Sequence, residues 1–268
     1  MVSVLGGPGG FRVAVDVRRG GRWDSLTGPG GREWLWSRPD PRRAGVTPGA
    51  AFVDVGGVEE CFPTVVGEPD HGEVWALPWT GDAAEAAVET GDYRLSRRIT
   101  AGERITVDYE LRAKPGYPFV WAFHALLVPE PGLRVEVPHG HPARVWPYGG
   151  PGPLTGRWPR PAGTGRFDVL GPDDGGAAFC LLPGLASLRV TTGEAALRFG
   201  LESEHGPVGF GVWRNLGGYA WDGGPPYRSF GVEPMLGAVH DRSQAADGET
   251  AAVPASGRTT WRVVVEHG

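Results

Sequence analysis

Two side chains in this sequence are of types that move protons, and each has small neighbours that leave room for a substrate. His124 lies in Phe119-Val120-Trp121-Ala122-Phe123-His124-Ala125-Leu126-Leu127-Val128, a run apolar on both faces that reads as a central strand. Alternation puts Ala122 and Leu126 on the face of His124, while Trp121 and Phe123 point the other way. A polar ring in such a strand costs free energy unless it is paired or faces a cleft. The competing reading is a core histidine bonded to a backbone carbonyl. Glu233 has the same character in Arg228-Ser229-Phe230-Gly231-Val232-Glu233-Pro234-Met235. Phe230 and Val232 take one face, and Ser229, Gly231 and Glu233 take the other. An edge-strand glutamate facing water is the rival there, because proline follows it. An imidazole and a carboxylate so placed can serve as an acid/base pair.

A third segment gathers polar and flat groups around turns: Glu59-Glu60-Cys61-Phe62-Pro63-Thr64, then Pro69-Asp70-His71-Gly72-Glu73-Val74-Trp75-Ala76-Leu77-Pro78-Trp79. Carboxylates such as Glu60, with His71 and two tryptophans, suit a sugar, which offers C–H faces and a ring of hydroxyls. A packed loop with both tryptophans in the core is the alternative. The remaining polar motifs carry less. His139 and His141 sit between prolines with no third ligand at metal spacing. The Gly-rich pieces at 6–10 and 28–31 are followed by strand patterns, whereas a phosphate loop needs a helix behind it. Neither a metal nor a cofactor is expected.

The elements that must position these groups are strands. Glycine (45) and proline (26) make up about a quarter of the 268 residues, but 40% hydrophobic content and 11 tryptophans argue for a packed core. Phe11–Val17 and Arg104–Leu111 alternate cleanly, and further short apolar runs begin at Arg32, Gly72, Tyr93, Phe119, Leu133, Ala177, Leu188, Ala195, Val208, Arg228 and Arg258. Helical periodicity is poor throughout; Gly81 to Thr90 could form a helical turn, and Trp146 to Arg166 reads as a long exposed loop. The chain is therefore expected to be all-β, a sandwich or barrel, and one domain over residues 1–268.

The formal charge is −5, and Lys114 is the only lysine among 26 basic residues. With no basic stripe, nucleic acid is not an expected partner. No apolar run reaches the ~18 residues of a membrane span. Cys61 and Cys180 make no disulfide framework, and the N-terminus lacks a signal-peptide pattern, so a cytoplasmic setting is expected.

The segment Glu60-Cys61-Phe62-Pro63-Thr64 … Asp70-His71-Gly72-Glu73-Val74-Trp75 resembles the corresponding stretch of aldose 1-epimerase-like proteins, the galactose mutarotase superfamily. So does the order that follows, a histidine on a mid-chain apolar strand and a late Glu233-Pro234 with Gly237 after it. Ser25-Leu26 … Gly31-Arg32-Glu33-Trp34-Leu35-Trp36 looks like the family's opening strands. The resemblance implies a large antiparallel β-supersandwich. It also implies Glu233 as general base, His124 as general acid, and His71 binding substrate near the ring oxygen. Trp213 and Asn215 fall where the superfamily lines its cleft, and Glu60, in the resembling segment, is a further candidate for binding substrate. The sequence departs from that pattern in following His124 with Ala125-Leu126 rather than Asn-Leu, and it offers no match for the family's clamping Arg and Asp. Arg214 and Arg228 are the basic residues that could mark a phosphate-binding cleft. The implied function is anomer interconversion of a hexose or hexose phosphate by a monomer or homodimer. A carbohydrate-binding or regulatory protein of the same fold is the alternative.

Overall fold

The computed structural model describes residues 2–161 and 163–268. Two large antiparallel sheets stack face to face. From edge to edge the first has Ser3–Leu5, Arg12–Asp16, Arg22–Thr27, Gly57–Cys61, Trp121–Leu127, Tyr227–Leu236, Val208–Tyr219, Ala177–Pro183, Pro142–Pro147 and Leu154–Arg157. The second has Arg134–Glu136, Ser187–Thr192, Ala195–Ser203, Arg258–His267, Arg104–Ala113, Tyr93–Ala101, Glu85–Glu89 and Thr80–Gly81. The chain is all-β, two large antiparallel sheets packed as a sandwich, as the alternation implies.

The alternation also divides the core. Trp121, Phe123, Ala125 and Leu127 point between the sheets, with Phe230, Val232 and Leu236 from the neighbouring strand. Ala122 and Met235 lie on the opposite face with Phe179, Cys61 and Val65. His124 and Glu233 share that second face, where loops rather than the other sheet cover the strands.

Four local expectations are corrected. Gly81 to Thr90 holds no helical turn: Glu85–Glu89 is a strand paired with Tyr93–Ala101, its centre Ala86-Ala87-Val88 buried. Small alanines allow either conformation, and the sheet edge decides. The run from Gly72 is no strand but leads into a 3-10 turn, Val74–Ala76, that buries Val74 and Trp75. The run from Arg32 makes isolated bridges only, such as Leu35 to Leu127. Within Trp146 to Arg166, Leu154–Arg157 pairs with Pro142–Pro147 as the last strand of the first sheet, and Trp158 is buried. Ala162 of that segment lies outside the described residues.

Cys61 and Cys180 are free and buried. Burial pushes both thiols up, that of Cys180 to about 12, so neither is a ready nucleophile at neutral pH. Among the described residues no helix is long and apolar enough to cross a membrane.

Candidate active site

His124 is brought to Glu233 by pairing of their two strands, in which Ala122 lies opposite Met235 and Ala125 opposite Val232. His124 Nε2 stands 3.7 Å from Glu233 Oε1. The residues are 8% and 2% exposed, and Glu233 Oε2 has no hydrogen-bond partner among the described residues. The space beside Glu233 comes from its glycine neighbours. A Cβ on Gly211 would stand 2.5 Å from the Phe179 ring, and one on Gly231 3.0 Å from Leu126. These glycines let Phe179, Trp213 and Leu126 close around the carboxyl instead of leaving it open.

His71 arrives on a loop bent for it. Its φ is +60°, the left-handed region that a non-glycine residue occupies at a cost of ~1–2 kcal/mol. Gly72 follows at φ +72° and lies against Phe62, where a Cβ would strike the carbonyl. Hydrogen bonds from His71 N to Val65 O (2.8 Å) and from Glu73 N to Phe62 O (2.9 Å) fix the bend. The imidazole stacks on Phe52 at 3.6 Å between centroids and meets the His124 ring edge-on at 5.2 Å. Its Nδ1 lies 3.0 Å from Asp70 Oδ1.

The three groups line one cavity of about 340 Å³, within the ~300–1,000 Å³ of small-molecule sites. Phe179, Trp213, Tyr219, Trp146 and Trp221 supply much of its wall. A larger groove, about 1010 Å³, crosses the outer face of the second sheet. Its charges pair with one another, as in Arg262–Asp108 (2.6 Å) and Arg258–Glu110 (2.7 Å), which marks a solvated strand face rather than a site.

Burial sets the protonation states. It raises the Glu233 carboxyl to about 8, against the pull of the His71 charge. It lowers His124 to about 3; the His71 charge acts the same way and Asp70 opposes it. At neutral pH burial thus favours the pair with its one proton on Glu233. For His71 burial acts downward, but the charge of Asp70 opposes it and holds its pKa above the ordinary value. Asp70 thus biases His71 toward its cation, beside a His124 and a Glu233 that burial biases toward their neutral forms. Asp70→Asn is expected to lower the His71 pKa, followed by NMR titration of the ring protons; an unchanged value would remove Asp70 as the source of the cation.

The raised Glu233 pKa has a consequence for stability. Between the ordinary 4.5 and about 8 the unfolded chain has lost this proton and the folded chain keeps it. Stability therefore falls as pH rises through that window. Glu233→Gln should melt with the wild type near pH 4 and above it near pH 8, by roughly 2–4 °C per kcal/mol released. Thermal denaturation at both pH values checks this, and a lower Tm at pH 8 would contradict it.

No family model matches this sequence, and no curated protein matches it. Solved structures do. A candidate aldose 1-epimerase from Escherichia coli K12 superposes with a TM-score of 0.72 at 15% identity, over 100% of this chain and 99% of that one. A galactose mutarotase-like protein from Lactobacillus casei ATCC 334 gives 0.66 at 14% identity, over all of both chains. A candidate aldose 1-epimerase from Klebsiella pneumoniae gives 0.65 at 11% identity, over 96% of this chain and 76% of that one. The fold is galactose mutarotase-like. At such identities the likeness carries the fold, and the chemistry rests on the residues of this chain.

Of the residues singled out in the sequence, this mutarotase-like sandwich brings His71, His124, Glu233 and Trp213 to the cavity. Trp213 is fixed there by a hydrogen bond from its Nε1 to Ser229 Oγ (3.0 Å). Glu60 is not brought to it. Gly57–Cys61 alternates so that Val58, Glu60 and Phe62 face the second sheet. There the fully buried Glu60 carboxylate pairs with Arg97 (2.6 Å) and accepts from the Tyr109 hydroxyl (2.8 Å) and Trp121 Nε1 (3.0 Å). Its place is structural, which corrects its assignment to substrate. Asn215 is also fully buried; it donates to Tyr219 O (3.0 Å) and accepts from the amides of Gly218 and Tyr219. It shapes the turn that presents Tyr219 rather than touching the cavity. Arg214 pairs with Asp174, and Arg228 with Asp173 (2.7 Å), so neither lines it.

Sequence reasoning passed over Phe52 and Asp54. They lie in Ala51-Phe52-Val53-Asp54-Val55, whose alternation was the available signal. Asp54 accepts from the Tyr227 hydroxyl and from Gly56 N (3.0 Å), so it borders His71 already engaged. Among the described residues no group of three or more His, Cys, Asp or Glu is arranged to hold a metal ion.

Proposed function

We propose that this protein is an aldose 1-epimerase that interconverts the α and β anomers of a hexose by acid/base ring opening. The observation that carries the reading is the His124–Glu233 pair, 3.7 Å apart, with His71 beside it in an aromatic cavity. When the anomeric hydroxyl approaches Glu233, the shared proton passes to His124 and leaves Glu233 free to accept. Glu233 then takes the hydroxyl proton as the bond between C1 and the ring oxygen breaks. The released electron pair on the ring oxygen takes the proton of His124, and the His71 cation stabilises the negative charge that develops there. Rotation about C1–C2 turns the aldehyde, and the same transfers in reverse close the ring on its other face. Protons and electrons balance within the pair, and both partners return to their starting states.

The aromatic wall suits the C–H faces of a pyranose. A binding protein without turnover is the second reading. It is favoured by the burial of Glu233, which raises its carboxyl to about 8 and so disfavours the ionised form that a base needs. Polarimetry on freshly dissolved pure anomers of a hexose panel separates the two. The epimerase reading expects equilibration faster than the spontaneous rate with at least one sugar. Binding with no acceleration would select the other.

A further inference from the structure

One end of the cavity contains a histidine that the proposed chemistry does not use. His240 is 9% exposed and packs against two aromatic rings, 4.2 Å from Trp146 and 5.3 Å from Phe179 by centroids, with only 20° between its plane and that of Phe179. Its backbone is clamped, since its carbonyl accepts from Val65 N (3.0 Å) and Val66 N (2.8 Å). Its side-chain Nδ1 has no hydrogen-bond partner among the described residues. Phe179 also reaches the other end: it lies against Gly211, whose absent Cβ would stand 3.2 Å from Glu233 Cβ. The Phe179 and His240 rings, near-parallel and offset-stacked, thus form an aromatic wall that starts beside the acid/base pair and ends at an unsatisfied imidazole.

The geometry points to a distal subsite of Trp146, Phe179 and His240 that receives the uncharged C5 substituent of an unphosphorylated aldose, with His240 as its specificity-determining residue. This rests on the epimerase reading, which sets the anomeric carbon at Glu233 and so the far side of the ring toward His240. The charges around His240 are all engaged. Arg144 donates to Ala238 O (2.7 Å) and to Glu249 Oε1 (2.5 Å), and it stacks on Trp146. Asp241 accepts from Ser243 N (2.9 Å), Ser243 Oγ (2.7 Å) and Gln244 Nε2 (2.8 Å). Burial pushes the imidazole down to about 4, with Asp241 opposing and Arg144 assisting. At neutral pH it is an uncharged ring able to donate to a hydroxyl or accept from one. No Arg or Lys is among the described residues lining the cavity, whereas Asp54, Asp70 and Glu233 are. Among the described lining residues His71 is the group biased toward a cation, and it already faces Asp70 at 3.0 Å. A phosphate dianion would enter without a counter-charge, and burying an unpaired charge is far more costly than burying a hydroxyl that finds a partner.

The test uses glucose and galactose, each with its 6-deoxy and 6-phosphate counterpart. Anomerisation rates are measured by NMR, and binding by calorimetry, for the wild type and His240→Phe. The wild type is expected to favour each free sugar over its 6-phosphate by at least about 100-fold in kcat/KM. His240→Phe keeps a flat ring and loses the hydrogen bond. It should raise KM for the parent sugar by about 2–12-fold, the worth of one neutral hydrogen bond. Its kcat, and both constants for the 6-deoxy sugar, should stay within about two-fold. A 6-phosphate turned over as well as the free sugar, or equal losses for parent and 6-deoxy sugars, would overturn the inference and leave the epimerase reading standing. Preferential binding of the free sugars without acceleration would reverse that outcome: the subsite would stand and the epimerase reading would fall. Neither binding nor acceleration with any of the six would overturn both.

Discussion

Glu233→Gln and His124→Asn should each lower the rate of anomer interconversion by about 10²–10⁴-fold, the usual contribution of a positioned general acid or base. Glutamine keeps the shape of the carboxyl but can no longer take a proton from the anomeric hydroxyl. Asparagine keeps a polar group in the strand but cannot deliver a proton to the ring oxygen. Sugar affinity should change far less, because Trp213, Phe179 and His71 remain in the wall. The double substitution should be little worse than either single one, since the 3.7 Å pair passes one proton within one step. Additive losses would mean that the two groups act independently. Steady-state anomerisation of the three variants beside the wild type decides between these outcomes.

The second large effect is on stability. Glu60→Ala would leave the Arg97 guanidinium, whose side chain is 1% exposed, without its counter-charge between the sheets. Breaking a buried pair from one side costs about 3–5 kcal/mol. For a chain of this size that corresponds to a fall in Tm of roughly 6–20 °C. Tyr109 and Trp121 would also lose their acceptor. Replacing Glu60 and Arg97 together by apolar residues should cost less than Glu60→Ala, because no unpaired charge remains. Per folded molecule, Glu60→Gln should anomerise sugar as the wild type does. A normal melting temperature together with a raised KM in that variant would return Glu60 to the substrate.

Strand alternation is what made the acid/base pair legible. In Trp121–Leu127 and Tyr227–Leu236 every second residue faces the core between the sheets, so the odd polar residue on the other face is visible from the sequence. The same rule, applied to Val58, Glu60 and Phe62, would have assigned Glu60 to the interior; clustering with other carboxylates drew attention away from its apolar face-mates. His71 was legible through the segment around Asp70-His71-Gly72, where a left-handed histidine before glycine gives the loop its bend. The rest of the wall was not readable. Phe52, Trp146, Tyr219 and His240 come from loops and strand ends far apart in sequence, and only the closed fold determines that they meet. The stretch Glu85–Glu89 was ambiguous for a different reason: short alanine-rich segments follow their neighbours, and here the neighbour is a strand.

The central claim is that His124 and Glu233, as one proton-sharing pair, open and close an aldose ring. Magnetisation-exchange NMR between the α and β anomeric signals of a sugar at equilibrium measures that step without a coupled reaction. The account predicts exchange well above the spontaneous rate with the wild-type protein and exchange at or near the spontaneous rate with the His124→Asn, Glu233→Gln double variant. Equal acceleration by both proteins would contradict it.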